Sequence, residues 1–233
     1  MEQASQALGR MDYLSCEADC LAALSLARDA GDWAYYGRIL MPLQESRRQR
    51  RMIAAEGTIR LGTMDLDSSI AAWLDKFDSG CVVVTHPHEA YQARALIDAG
   101  RSARRHVEVL FADNLTTARR WVLATYDRPS VRCEVPAPPA DWIGRWIRPQ
   151  PPAGRRKAAH APSADVGAAD WFIDATEKLG DVALAQIDPA APPRDRLEAL
   201  EQRLAVIGDH EILHQRLWDV ARALSVEPEV DRS

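Results

Sequence analysis

Lysine is nearly missing from this chain. Only three of its 29 basic residues are Lys, a bias that coding preference explains as readily as phosphate binding, so the abundance of Arg alone does not argue for a phosphate-binding role. Aromatic residues are scarce at 6%, although seven of them are Trp. There are four cysteines, Cys16, Cys20, Cys81 and Cys133, and their spacing is not that of a disulfide scaffold. That excludes a small stapled secreted domain and predicts reduced, buried thiols. No apolar run approaches the roughly 20 residues that a membrane-spanning helix needs. The first ten residues are polar and no apolar export segment is expected, so the expected location is the cytoplasm, with no membrane partner.

Two kinds of catalytic framework are also missing. No glycine-rich loop follows any of the expected strands, which removes the physical basis for Rossmann or P-loop nucleotide binding. No Ser sits in a nucleophile-elbow context, so a Ser-His-Asp triad has no support.

What is present is a chain of 233 residues, 47% apolar and 27% charged, long enough to bury a proper core. Its net charge of −5 is unevenly spread. Residues 1–79 hold nine Lys and Arg against twelve Asp and Glu, residues 80–164 thirteen against seven, and residues 165–233 seven against fifteen. A basic middle and an acidic end can attract each other, or the middle can face an anionic partner.

The expected fold class is α/β: a small three-stranded parallel βαβαβ unit flanked by N- and C-terminal helical hairpins. Its strands are Cys81 to Thr85, His106 to Phe111 and Ser130 to Val135, with crossover helices at His88 to Ala99 and Asn114 to Tyr126. The continuous run Val82-Val83-Val84 predicts a strand covered on both faces. Before this unit, residues 1–79 are expected to be helical. Helices are expected at Tyr13 to Ala30, Trp33 to Leu40, a third starting at Pro42, and Ile70 to Phe77; Ile59 to Thr63 fits either a helix end or a short strand. Trp142, Trp146 and Ile147 would anchor a short helix before a Pro-rich linker at residues 149–165. Residues 166–233 read as helices from Gly167 to Leu179, Asp181 to Ile187, Arg194 to Ile207 and His210 to Leu224. In the last pair Leu197, Leu200, Leu204 and Ile207 face Ile212, Leu213, Leu217, Val220 and Leu224.

One joint recurs. Ala30-Gly31-Asp32, Leu179-Gly180-Asp181 and Ile207-Gly208-Asp209 each place a Gly stop before an Asp cap. This resembles the hairpin turn of tetratricopeptide-type repeats over about the first 60 and last 65 residues, with the nearest two joints 28 residues apart against about 34 in that family. The resemblance implies helical hairpins that recognise another protein.

The most specific string is His210-Glu211-Ile212-Leu213-His214, which matches H-E-x-x-H and resembles the zinc-binding helix of zincin metallopeptidases. The resemblance implies His210 and His214 as zinc ligands and Glu211 as the general base that activates the metal's water. A third ligand would come from Glu227, Glu229 or upstream. The alternative is that Asp209 caps this helix, Glu211 favours its dipole and both His are partly exposed.

A second constellation follows from topology, because ligands of open parallel sheets bind beyond the carboxyl ends of the strands. There the chain carries His86 and His88 after the first strand and Asp113 and Asn114 after the second, with Glu134 near the end of the third. These would suit a small ligand or nucleotide-sensing role, or serve only as helix caps. Arg47 to Arg51, Arg101 to Arg105 with Arg119-Arg120, and Arg155 to Lys157 are short clusters in an acidic chain with a calculated pI of about 5.7. Nucleic acid is therefore disfavoured as a partner. The leading reading is a non-catalytic interaction or regulatory module with a protein partner and no cofactor; the alternatives are a zinc-dependent hydrolase and a small-ligand sensor.

Overall fold

The computed structural model describes residues 1–62, 70, 74, 78–113, 117–148 and 166–226. Two compact units divide the chain: Met1–Gln49 with Ala183–Ser233, and Arg50–Val182. The fold is mixed α/β, with parallel strands in the middle of a six-stranded sheet and helices towards both ends of the chain.

The first unit is helical. It contains α1 (Glu2–Gly9), α2 (Tyr13–Ala30), the larger part of α3 (Trp33–Glu56), the end of α5 (Val166–Ala185), α6 (Pro193–Ile207) and α7 (Glu211–Val226). The Asp12 carboxylate caps α2 by accepting from the Ser15 N–H at 3.2 Å. Gly31 closes α2 at a φ of +69°, a conformation costly for a residue with a Cβ. Asp32 then caps α3 by accepting from the Tyr35 N–H at 2.9 Å, as expected for this joint. The expected break at Pro42 does not occur, and α3 runs through it. A helical Pro removes one N–H and crowds one carbonyl, a local cost that the burial of Ile39, Leu40 and Leu43 offsets.

At the other end of this unit α6 begins with Pro193 in its first turn, where the missing N–H costs nothing. Leu197, Leu200, Leu204 and Ile207 are buried in α6, and Leu213, Leu217, Val220 and Leu224 in α7. Ile212, expected to share that seam, is instead 43% exposed. The joint expected at Gly180-Asp181 is also absent, since both residues lie inside α5. A mid-helix Gly costs about 1 kcal/mol relative to Ala, less than packing Leu179 and Ala183 contributes.

The second unit is built on the sheet. Its strands are β1 (Thr58–Leu61), β2 (Ser79–Thr85), β3 (His106–Ala112), β4 (Arg120–Ala124), β5 (Arg132–Pro136) and β6 (Trp146–Ile147), in the order β5-β4-β3-β2-β1-β6. β1, β2 and β3 are parallel; β4 is antiparallel to β3 and to β5, and β6 to β1. Two expectations are corrected here. The third parallel strand is β1, and the segment expected as a second crossover helix contains β4, a strand inserted between β3 and β5. In β4, Trp121 and Leu123 are buried on alternate positions, and pairing on both sides satisfies its backbone. Residues 114–116 of that expected helix lie outside the described residues, as do residues 149–165 and most of the helix expected at Ile70 to Phe77, of which Ile70 and Leu74 are described and helical.

β2 is the central strand, and Cys81, Val82, Val83 and Val84 are each fully buried, as a strand covered on both faces requires. On one face Val82, Val84, Val107 and Val109 pack with Ala93, Leu96 and Ile97 of the crossover helix α4 (Ala90–Ser102). On the other, Trp121 meets Trp171 of α5 edge to face at 5.5 Å, and Arg50 near the end of α3 pairs with Glu108 at 3.6 Å. β1 and β2 touch so closely at Gly80 that a Cβ there would lie 2.0 Å from the Thr58 carbonyl oxygen. Trp142 is buried in a short 3₁₀ turn, Ala140–Trp142, that precedes β6.

Candidate functional site

In the helical unit the residues of the H-E-x-x-H string part company. His210 is not in the helix but immediately before it, where its Nδ1 accepts a hydrogen bond from the Leu213 N–H at 3.3 Å. It therefore does the capping expected of Asp209. Glu211 is exposed in the first turn of α7 and accepts from the Gln215 amide at 2.9 Å. His214, one turn on, is 1% exposed, as is His210. The carboxylate meant to activate a metal-bound water thus faces solvent while both imidazoles are buried.

What surrounds those imidazoles is a polar seam. The Arg47 guanidinium on α3 donates through Nε to Glu17 on α2 at 2.9 Å, with both side chains more than nine-tenths buried. Through Nη1 it donates to the carbonyls of Leu204 at 3.3 Å and Gly208 at 3.0 Å, placing a positive charge at the carbonyl end of α6, where Leu204 also accepts from the Gly208 N–H at 3.2 Å. Gly208 turns the chain at a φ of +77° and leads it into the His210 cap. One arginine therefore ties α2, α3 and the α6–α7 turn together.

That charge also decides the state of His214. Burial first, then the positive field of Arg47, push its pKa down to about 3, so the ring is neutral at physiological pH. The Gly208 carbonyl is near enough to favour the charged form, but neither ring nitrogen has a hydrogen bond of normal geometry. A site beside a fixed guanidinium is also a poor place for a divalent cation. No group of three or more His, Cys, Asp or Glu side chains among the described residues is arranged to hold a metal ion. Glu227 and Glu229, named from sequence as possible third ligands, lie outside the described residues.

In the sheet unit the parallel pairing of β2 with β3 brings Thr85 level with Ala112, so His86 and Asp113 do follow neighbouring strand ends. His86 is exposed and His88 is buried. The Asp113 carboxylate is paired with Arg132 of β5 at 2.9 Å, and Asn114 lies outside the described residues. Because β4 is inserted, Glu134 stands two strands away from Asp113 and pairs with Arg120.

The basic clusters are similarly dispersed. Arg47 and Arg50 are buried, Arg51 pairs with Glu177, and Arg48 is left on the surface near Glu45 at 3.9 Å. Arg101 to Arg105 precede the start of β3, whereas Arg120 lies beyond its far end. Arg155 to Lys157 lie outside the described residues. All four cysteines are free and buried. Burial raises each thiol's pKa, that of Cys20 to about 12 and that of Cys133 to about 11, which keeps them from acting as thiolates.

Sequence reasoning missed the Glu17–Arg47 pair. The only signal for it was an Arg on the apolar side of a helical pattern, inside a run that reads as a solvated face. No helix among the described residues is long and apolar enough to cross a membrane. No family model, curated protein or solved structure matches the chain.

Proposed function

We propose that this chain is a non-catalytic interaction or regulatory module that binds another protein through its helical surfaces. The observation that carries this reading is the division of labour in the H-E-x-x-H string: His210 caps, His214 packs, and Glu211 is exposed and bonded to Gln215. The groups best suited to chemistry are committed to holding the helices together. Large apolar side chains meanwhile stand in solvent on those helices, with Leu26 on α2 72% exposed and Met41 on α3 77% exposed. Paired helices joined by the Gly31-Asp32 and Gly208 turns are suited to docking another chain, and the likeness to tetratricopeptide hairpins belongs to this proposal.

The test is to purify the chain without chelator, determine its zinc content, and assay zinc-dependent hydrolysis beside Glu211→Gln. In parallel, the proteins co-purifying with wild type are compared with those retained by Leu26→Asp combined with Met41→Asp. Metal-free protein, no hydrolytic difference, and selective loss of a stoichiometric partner in the surface variant are expected. One zinc per chain together with activity abolished by Glu211→Gln would overturn the reading in favour of a hydrolase.

A further inference from the structure

The helical unit carries a half-open cavity of about 270 Å³, just under the size at which most small-molecule sites begin. Helices α2, α3, α6 and α7 all line it. Its wall is apolar, from Leu21, Leu24, Leu43, Leu204 and Leu217. Ser25 and Ala205 are exposed at its mouth, while Leu43, Leu204, Leu217 and Arg47 are buried at its floor.

Two features give this cavity a polarity. At the rim, Glu201 is fully engaged: one carboxylate oxygen accepts from the Tyr36 hydroxyl at 2.7 Å and the other from Arg28. Its negative charge is therefore met within the protein. At the floor, Arg47 spends Nε on Glu17 and Nη1 on two carbonyls, but Nη2 has no partner among the described residues. A guanidinium that is 94% buried among the floor leucines, paired with Glu17 but still holding two unused N–H donors, is an anchor for a strong acceptor such as a carboxylate.

We infer that this cavity binds a small monocarboxylic acid with an apolar body, its carboxylate on Arg47 Nη2 and its hydrocarbon against the leucines. A carboxylate matches the fork of the guanidinium, and a desolvated charge-assisted hydrogen bond there is stronger than one to a neutral oxygen. The volume limits the acid to a small one, and the apolar wall disfavours a sugar or a polyphosphate. This inference goes beyond the interaction reading and does not depend on it, since a ligand and a protein partner would use different surfaces of the same helices.

The experiment is calorimetric titration of the full chain with octanoate, octanol and octylamine, repeated on Ala205→Trp, which fills the mouth from an exposed helical position. Octanoate is expected to bind at one site per chain, at least about tenfold more tightly than octanol, with octylamine weaker still. Ala205→Trp is expected to lose that binding while keeping the wild-type circular dichroism and Tm. Ser25→Phe, an exposed lining position on α2, serves if Ala205→Trp is poorly folded. Equal affinity for all three probes, binding at several sites, no binding of octanoate, or octanoate binding that survives the blocked mouth would each overturn the inference. Neither zinc content nor partner capture bears on these outcomes, so failure here is distinguishable from failure of the interaction reading.

Discussion

The two units differ in what sits at their centres. Beneath α4 the sheet carries an apolar cluster, from Val82 and Val84 through Leu96 to Val109, although the unit also buries Arg50, Arg60, His88 and Asp113. Between the helices of the other unit, Glu17, Arg47, His210 and His214 are all buried as well, and they occupy the joint where α2, α3 and the α6–α7 turn meet. A sheet satisfies its backbone within the ladder and needs only apolar cover. Helix ends leave carbonyls and N–H groups without partners, and when such ends are buried, polar side chains must supply them. Arg47 and His210 are those side chains, so residues resembling a catalytic set are the connectors of a helical joint.

If this contrast holds, the largest effects of substitution come from the polar seam. Arg47→Ala removes the buried guanidinium that faces Glu17 and its bonds to the Leu204 and Gly208 carbonyls, and is expected to cost about 3–5 kcal/mol in urea unfolding. Replacing both partners, Glu17→Leu with Arg47→Met, is expected to recover part of that loss, because no charge then remains buried. A double variant as unstable as Arg47→Ala would show that the seam does not act through its charge. In the sheet unit the comparable change is Leu96→Ala, a purely apolar loss of about 2–5 kcal/mol, with little dependence on salt or pH.

A middle-sized effect separates the units by pH. His214 titrates near 6.5 when unfolded and near 3 when folded. Below pH 6.5 the unfolded chain takes up a proton that the folded chain refuses, so this contribution is intact above that pH and is lost as pH falls towards 3. The slope is about 1.4 kcal/mol per unit, or roughly 2 kcal/mol between pH 6.5 and 5. His214→Leu, compared with wild type across that range, is expected to remove this part of the acid sensitivity. An identical pH dependence in the two proteins would mean that His214 is not held neutral by the fold.

The smallest effect is expected at Glu211. Its side chain is exposed, with one hydrogen bond to Gln215, so Glu211→Gln should change stability by less than about 0.5 kcal/mol. A large loss of stability would place Glu211 in the seam it is said to leave.

How far the sequence could be read depended on whether the deciding contact was local. The run from Cys81 to Val84 announces a central strand because nothing but cover on both faces suits four consecutive apolar residues. The turns at Gly31 and Gly208 were legible for the same reason, since a left-handed or otherwise positive φ is a property of the residue itself. By contrast, Ala118, Trp121, Val122 and Ala124 fit a helical spacing, while Trp121 and Leu123 fit a strand. The choice is made by β3 and β5, which flank that segment in the sheet. Leu179-Gly180-Asp181 has the letters of a turn but is carried through by packing along α5. The seam was the least legible feature, since Arg47 finds its acceptors 157 and 161 residues away. A run of arginines carries no mark that one of them points inward.

The most direct measurement is an NMR titration of the His214 imidazole in the full chain, without and with an equivalent of zinc. The account predicts resonances that stay those of a neutral ring from pH 8 down to pH 5 and do not move when zinc is added. A titration near pH 6.5, or a zinc-dependent shift shared by His210 and His214, would contradict it.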